Sequence, residues 1–216
     1  MTELPPTDRT RLRRLHGRGR FDRATIDAVL DAQPLCHIAY LRDGVPALLP
    51  SLQWREGDRV YWHGSSASHA LRAQIGTEVC LAVTLLDGLV LARSGFHHSA
   101  NYRSVMLFGR PEWIEDPRRK EQHLETFFER LLPGRWKSLR PVTQQELKAT
   151  AVLSLPIREA SAKIRTGPPV DEQADYALPI WAGVLPLRTT VGAPIPDPRN
   201  PEGLPPPAEP GTFRSG

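Results

Sequence analysis

Cysteine is nearly absent from this sequence: Cys36 and Cys80 are the two in 216 residues. Neither belongs to a C-x-x-C pair, which excludes zinc-ribbon and dithiol-redox motifs. Both sit in apolar runs and read as buried, unpaired thiols. Long hydrophobic runs are missing too. The longest, such as CLAVTLL, are strand-sized, well short of the ~20 residues that cross a bilayer. No apolar segment follows a basic start in MTELPPTDRT, so no secretory signal is read and a cytoplasmic protein is expected. Also missing are a Walker loop, G-x-G-x-x-G, a G-x-S-x-G elbow, H-x-x-x-H and H-E-x-x-H. A helix-borne zinc site and a hydrolase nucleophile elbow are thereby excluded.

A broad charge bias is lacking outside one short segment. The formal net charge is +4, yet residues 1–23 alone hold seven arginines against Glu3, Asp8 and Asp22. The remainder balances to zero, so the basicity belongs to an arm and not to the fold. A basic arm can grip phosphates, but solvated or partner-docked arms are commoner, and nucleic acid is not an expected partner. What remains is an ordinary globular composition, 40% hydrophobic and 24% charged, in a length that suits one domain.

Residues 1–20 read as a basic arm. Asp22 can cap a helix whose apolar face is Ile26, Val29 and Leu30. From Leu35 to Ile114 come short β-rich runs: LCHIAYL, VPALLPSLQW, RVYWHG, EVCLAVTLL, LVLARS and NYRSVMLFGRPEWI. Asp43-Gly44, Gly57-Asp58 and Asp87-Gly88 separate them as hairpin turns, since these residues tolerate positive φ. GSSASHALRAQI reads as a short helix. Five or more strands with short turns argue for an antiparallel barrel or sandwich. Residues 117–132 form an amphipathic helix with Leu124, Phe127, Phe128, Leu131 and Leu132 on one face and solvated Glu121, Glu125 and Glu129 on another. TAVLSLPI and IWAGVLPL supply later strands. Eight prolines between Pro194 and Pro210 make residues 192–216 a disordered tail.

Three stretches concentrate chemistry. In HGSSASHALR, Gly64 and the serines stand where a strand gives way to a helix, so free amides there could hold an anion. His69 and Arg72 would add charge, and simple serine capping is the plain alternative. In GFHHSANYRSVMLFG, Tyr102, Ser104 and Met106 share one strand face, and Arg103, Val105 and Leu107 share the other. His97 and His98 precede that strand in a turn. Adjacent histidines project apart, and His37, His63 and His69 are scattered, so spacing offers no metal site. In SAKIRTGPPVDEQADYALPIWAG, Lys163 and Arg165 alternate on a strand. Trp181 beside Gly183 is either core packing or a stacking surface for a ring or partner subunit.

Taken in order, YWHGSSASHALR, LVLARSGFHHSANYRSVMLFGR and KIRTGPPVDEQADYALPIWAGVLPL resemble the pyridoxamine 5′-phosphate oxidase-like flavoproteins. Within them the likeness is to the flavin-nucleotide-binding branch that includes nitroimidazole-resistance proteins. It runs from about Arg20 to Val191, and residues 21–191 are taken as one domain. The resemblance implies a mainly β split barrel with flanking helices, a homodimer, and FMN at the dimer interface. It implies that Pro50 and Ser51 lie along the flavin ring and that His63, Gly64 and Ser65 pass beneath the ribityl chain. Ser68 and His69 match phosphate positions, with Arg72 beside them. Asn101 and Ser104 line the ring pocket, and Trp181 comes from the partner chain. Where many relatives carry a basic pair, this chain has His69-Ala70 and lacks the lysine. A related split-barrel family binds haem, which keeps haem as the lesser cofactor.

The implied function is an FMN-dependent oxidoreductase that passes electrons from a reduced nicotinamide donor to a small acceptor, nitro-aromatic or quinone-like. His98 is the candidate proton donor, because a histidine titrates near working pH. A turn histidine bonded to backbone is the equal alternative. The other functional class is a non-catalytic protein that stores, senses or carries flavin or haem.

Overall fold

The computed structural model describes residues 2–207. After a two-residue strand β1 (Gly19–Arg20), the Asp22 carboxylate accepts from Thr25 N at 2.8 Å and starts α1 (Arg23–Ala32). Ile26, Val29 and Leu30 are buried on one face, as i, i+3, i+4 spacing requires. Asp43 (φ 53°) and Gly44 (φ 78°) turn β2 (Leu35–Arg42) into β3 (Val45–Glu56). Positive φ at both positions is what a two-residue hairpin needs. Gly57 carries the next turn into β4 (Arg59–Ser65). The helix expected after it is only α2 (His69–Gln74).

Asp87-Gly88 is not a turn. One strand, β5 (Val79–Leu91), runs through it with a bulge between Leu86 and Gly88. Gly88 is needed for a different reason: a Cβ there would sit 3.0 Å from the Leu185 carbonyl. Its bare backbone lets β10 (Gly183–Pro186) pair along β5. The true turn, residues 92–98, lies further on and leads to β6 (Ser99–Gly109).

β7 (Glu112–Trp113), α3 (Pro117–Leu131), α4 (Gln144–Ala149), β8 (Thr150–Pro156) and β9 (Glu159–Arg165) follow. All strands pair antiparallel in the order β1-β9-β6-β5-β2-β3-β4-β8-β7, with β10 on β5. The sheet curls into a half-barrel because β3 serves two neighbours. Its first half pairs with β2 and its second with β4. Inside the curl lies one core with Ile38, Trp62, Leu81, Leu107 and Leu153 fully buried. A second cluster of Trp54, Tyr61, Phe127 and Leu147 seals α3 against the back of β3 and β4.

Two features of α3 depart from the sequence reading. Glu129 is not solvated: it accepts from Gly134 N (2.6 Å) and Trp136 N (3.0 Å), tying down the loop after the helix. Lys120 is buried, and its Nζ donates to the carbonyls of Leu147 (2.9 Å) and Thr150 (2.7 Å). It satisfies acceptors that the end of α4 leaves unpaired.

Residues 2–20 lie along the barrel. Leu4 is buried, Glu3 bridges to Asp22, and Arg9 pairs with Glu159 and with Glu78 (3.0 Å). The Arg9 hydrogen bonds hold both carboxyl groups below the usual range. Depressed carboxylates give stability that is present above pH ~4.5 and lost as pH falls through their folded values. Protection of residues 4–10 against hydrogen exchange is therefore expected to fall below pH 4, ahead of that of the barrel strands. Equal protection of both at pH 3.5 would refute this.

Residues 188–207 form no helix or strand and are exposed. The remainder of the expected tail, 208–216, is outside the described residues.

Candidate functional site

Strand pairing builds one continuous outer face. Directly opposed residues share a face of a sheet. Pro50, His37, Ala82, Met106 and Ser161 therefore form one row across β3, β2, β5, β6 and β9. Thr84, Ser104 and Lys163 form the parallel row beside it. The face is apolar although it points away from the core. Leu35, Leu41, Leu48, Leu52, Leu86 and Met106 are 40–61% exposed. A contiguous apolar patch of this kind marks a binding or assembly surface.

Several expected site residues belong to this face or its rim. Pro50 and Ser104 face outward, and Ser104 Oγ donates to the Lys163 carbonyl at 3.3 Å. Trp181, just before β10, is 65% exposed, so core packing is excluded and a stacking surface remains. Its ring lies over Gly183, where a Cβ would meet it at 2.9 Å. Ser51 opposes buried Cys36 and so points to the other side of the sheet from Pro50.

The β4–α2 connection gathers Gly64, Ser65, Ser68, His69 and Arg72, but most of these groups are already engaged. Ser68 Oγ accepts from Leu71 N as the N-cap of α2, and Ser65 Oγ accepts from Ala67 N. Arg72 Nε donates to the Ser66 carbonyl at 2.9 Å. Gly64 permits close packing, since a Cβ there would be 2.8 Å from Leu71 Cδ1. His69 is exposed. With six residues, α2 also has a short dipole to offer an anion.

Three expectations change with the fold. His63 points to the α3 side, 4.9 Å from the Phe127 ring, and burial lowers its pKa. Asn101 is buried: its Nδ2 donates to the Gly167 carbonyl at 3.1 Å and its Oδ1 accepts from Arg165. It locks the 166–168 turn onto β6 and has no face to offer a ring. His98 Nδ1 donates to the Ser94 carbonyl at 2.8 Å, the turn-histidine arrangement, with the ring exposed.

Both cysteines are free, and burial pushes the Cys36 thiol up to about 12. No group of three metal-ligating side chains occurs among the described residues. A cleft of about 270 Å³ lies where β5 and β6 meet residues 187–189, lined by Thr84, Leu86, Asp87 and Arg103.

This arrangement has known counterparts. The family model for pyridoxamine 5′-phosphate oxidase matches residues 22–164. The chain belongs to that family. Among solved structures, a flavocytochrome from Azotobacter vinelandii is 52% identical over 93% of this chain and 94% of its own, with a TM-score of 0.89. A FAD- and haem-binding protein from Mycobacterium smegmatis is 41% identical over 88% of this chain and 94% of its own, at 0.84. A protein from Bacteroides thetaiotaomicron named for 5-nitroimidazole resistance shares the fold at 20% identity, covering 66% and 84% of the two chains at 0.56. No protein with a curated description matches.

The family member seen here is thus a split barrel with an unpaired apolar outer face. That face was missed in the sequence, although a signal existed: LCHIAYL and VPALLPSL are apolar at consecutive positions. Strands covered on both sides read as continuous apolar runs, while one-sided strands alternate.

Proposed function

We propose that this chain is a flavin-binding redox protein that also carries haem and works as a homodimer through the apolar outer face. The observation that carries this is whole-chain likeness, at 52% and 41% identity, to two proteins whose names both carry flavin and haem. Haem, the lesser cofactor of the sequence reading, gains weight from those names. FAD joins FMN as a candidate flavin for the same reason.

The residues present fit such groups. An apolar sheet face bordered by Ser104 and Lys163 suits a planar ring with polar edges. Haem iron takes an axial imidazole, and His16, His37, His69 and His98 are exposed. Bound flavin supplies hydride or electron transfer; the chain binds, orients and shields it. The electron path we favour runs from a reduced nicotinamide donor to a small oxidised acceptor. Two unpaired thiols suit a reducing compartment and support a cytoplasmic location.

An absorption spectrum of the purified protein tests the cofactors. Flavin bands and a Soret band are both expected, and a colourless protein that takes up neither on reconstitution would refute the reading. The Soret band is expected to survive His63→Ala and His123→Ala, because His63 is packed inward and His123 is held by Glu56 at 3.0 Å. It is expected to vanish on alanine replacement of one of His16, His37, His69 or His98.

Storage or transfer of the cofactors without catalysis is the second reading. It is favoured by the engagement of His98 Nδ1 with the Ser94 carbonyl, which occupies one nitrogen of the candidate proton donor. Turnover of a nitro-aromatic with a nicotinamide donor separates the two.

A further inference from the structure

Positive charge on the outer face is concentrated at one end and is unneutralised. Lys163 lies opposite Ser104 on β6 and Gly19 on β1, and Arg165 lies opposite Tyr102. Arg18 immediately precedes β1, so it flanks the same edge. The Lys163 ammonium stands 5.9 Å from the centre of the Tyr102 ring. Arg165 spends its guanidinium on neutral oxygens: Asn101 Oδ1, the Gly167 carbonyl at 3.3 Å and the Pro168 carbonyl at 3.2 Å. Three other arginines do meet carboxylates. Arg9 meets Glu78 and Glu159, Arg93 meets Asp171, and Arg103 meets Asp87. Arg18, Lys163 and Arg165 have no carboxylate partner among the described residues. Burial first, and then the charge of Arg18, pull the Arg165 guanidinium below its ordinary value. Like charges held together cost stability unless an anion joins them.

The same end of the face solves a deficit at the other. His69-Ala70 supplies no lysine, and Arg72 is tethered to the Ser66 carbonyl. We propose that Arg18, Lys163 and Arg165 form an anion subsite that receives a phosphate group of a bound nucleotide, with Tyr102 beside it. This rests on the reading of the chain as a flavin-binding protein. Two sources carry that chemistry: the flavin's own phosphates and those of the nicotinamide donor. Guanidinium and ammonium groups bind phosphate through charge-assisted hydrogen bonds, and the array would make binding salt-sensitive.

Titration of the purified protein with pyrophosphate, riboflavin, FMN, FAD and NADPH tests this, in wild type, Lys163→Gln and Arg18→Gln. Both substituted side chains are half-buried, and melting curves check that the fold is kept; Arg165 is left intact because it holds the 166–168 turn. Loss of one cation is expected to weaken pyrophosphate binding about tenfold, or ~1.4 kcal/mol. If FMN and FAD weaken equally while riboflavin is unchanged, the phosphate is the flavin's. If the flavins are unchanged and NADPH weakens, it is the donor's. A wild type that binds pyrophosphate through these residues but retains no flavin upholds the subsite and sinks the flavin reading. Pyrophosphate, FMN, FAD and NADPH affinities all within twofold of wild type would overturn the proposal.

Discussion

Leu48→Asp is expected to yield a folded monomer that retains no flavin. Leu48 is 61% exposed and pairs across from Ala39, in the middle of the apolar outer face. Nothing in the core rests on it, so the barrel has no reason to unfold. Burying a leucine on association contributes roughly 1.5–3 kcal/mol. A twofold interface uses the same patch on both copies, so each loss counts twice. About 3–6 kcal/mol corresponds to a weakening of two to four orders of magnitude in Kd, before the cost of desolvating a carboxylate. Sedimentation should report the monomer and absorbance near the flavin band should disappear. Leu139→Asp serves as the control, since Leu139 is exposed in the loop between α3 and α4, away from the sheet. A Leu48→Asp protein that stays dimeric and yellow would remove the outer face from both roles.

Trp62→Ala is expected to destabilise the fold by about 3–5 kcal/mol, the range for deleting a fully buried large aromatic. Trp62 is 0% exposed and sits on β4 within the main core. Its Nε1 donates to Gln74 Oε1 at 3.1 Å, which joins β4 to α2 inside the barrel. Removing the indole leaves a cavity and a fully buried glutamine without that donor; its Nε2 already lacks a partner. For a domain of this size the melting temperature should fall by roughly 10 °C. Trp62→Phe keeps most of the volume and should cost markedly less. Melting within 2 °C of wild type for the alanine variant would show that the site collapses and that the core is not built around this side chain.

Much of the scaffold was legible because its signals are local. The Asp22 cap, the stripe of Ile26, Val29 and Leu30, and the Asp43-Gly44 turn each depend on neighbours within one helical turn or hairpin. The face assignment of β6 held for the same reason: Val105 and Leu107 are buried while Met106 is exposed. Motif order carried the family, which the whole-chain comparisons support.

The site was harder to read because its meaning depends on partners far away in the chain. Asp87-Gly88 has the composition of a turn, yet the approach of β10 makes it a bulge in a continuous strand. Asn101 looked free to recognise a ring; Gly167, 66 residues later, takes its amide. His63 stood in a glycine-serine stretch and turned inward because α3 packs behind β4.

By itself, then, the sequence determined most of the strands and helices, the turns at Asp43-Gly44 and Gly57-Asp58, and the family that the chain resembles. Periodicity, capping and turn chemistry act over a few residues and are written there directly. Only the tertiary structure decided that the outward residues of β3, β2, β5 and β6 join into one face, that the arm lies on the barrel, and that Arg18, Lys163 and Arg165 share one edge without a counter-charge. Register between distant strands sets those neighbours, and no local pattern encodes it.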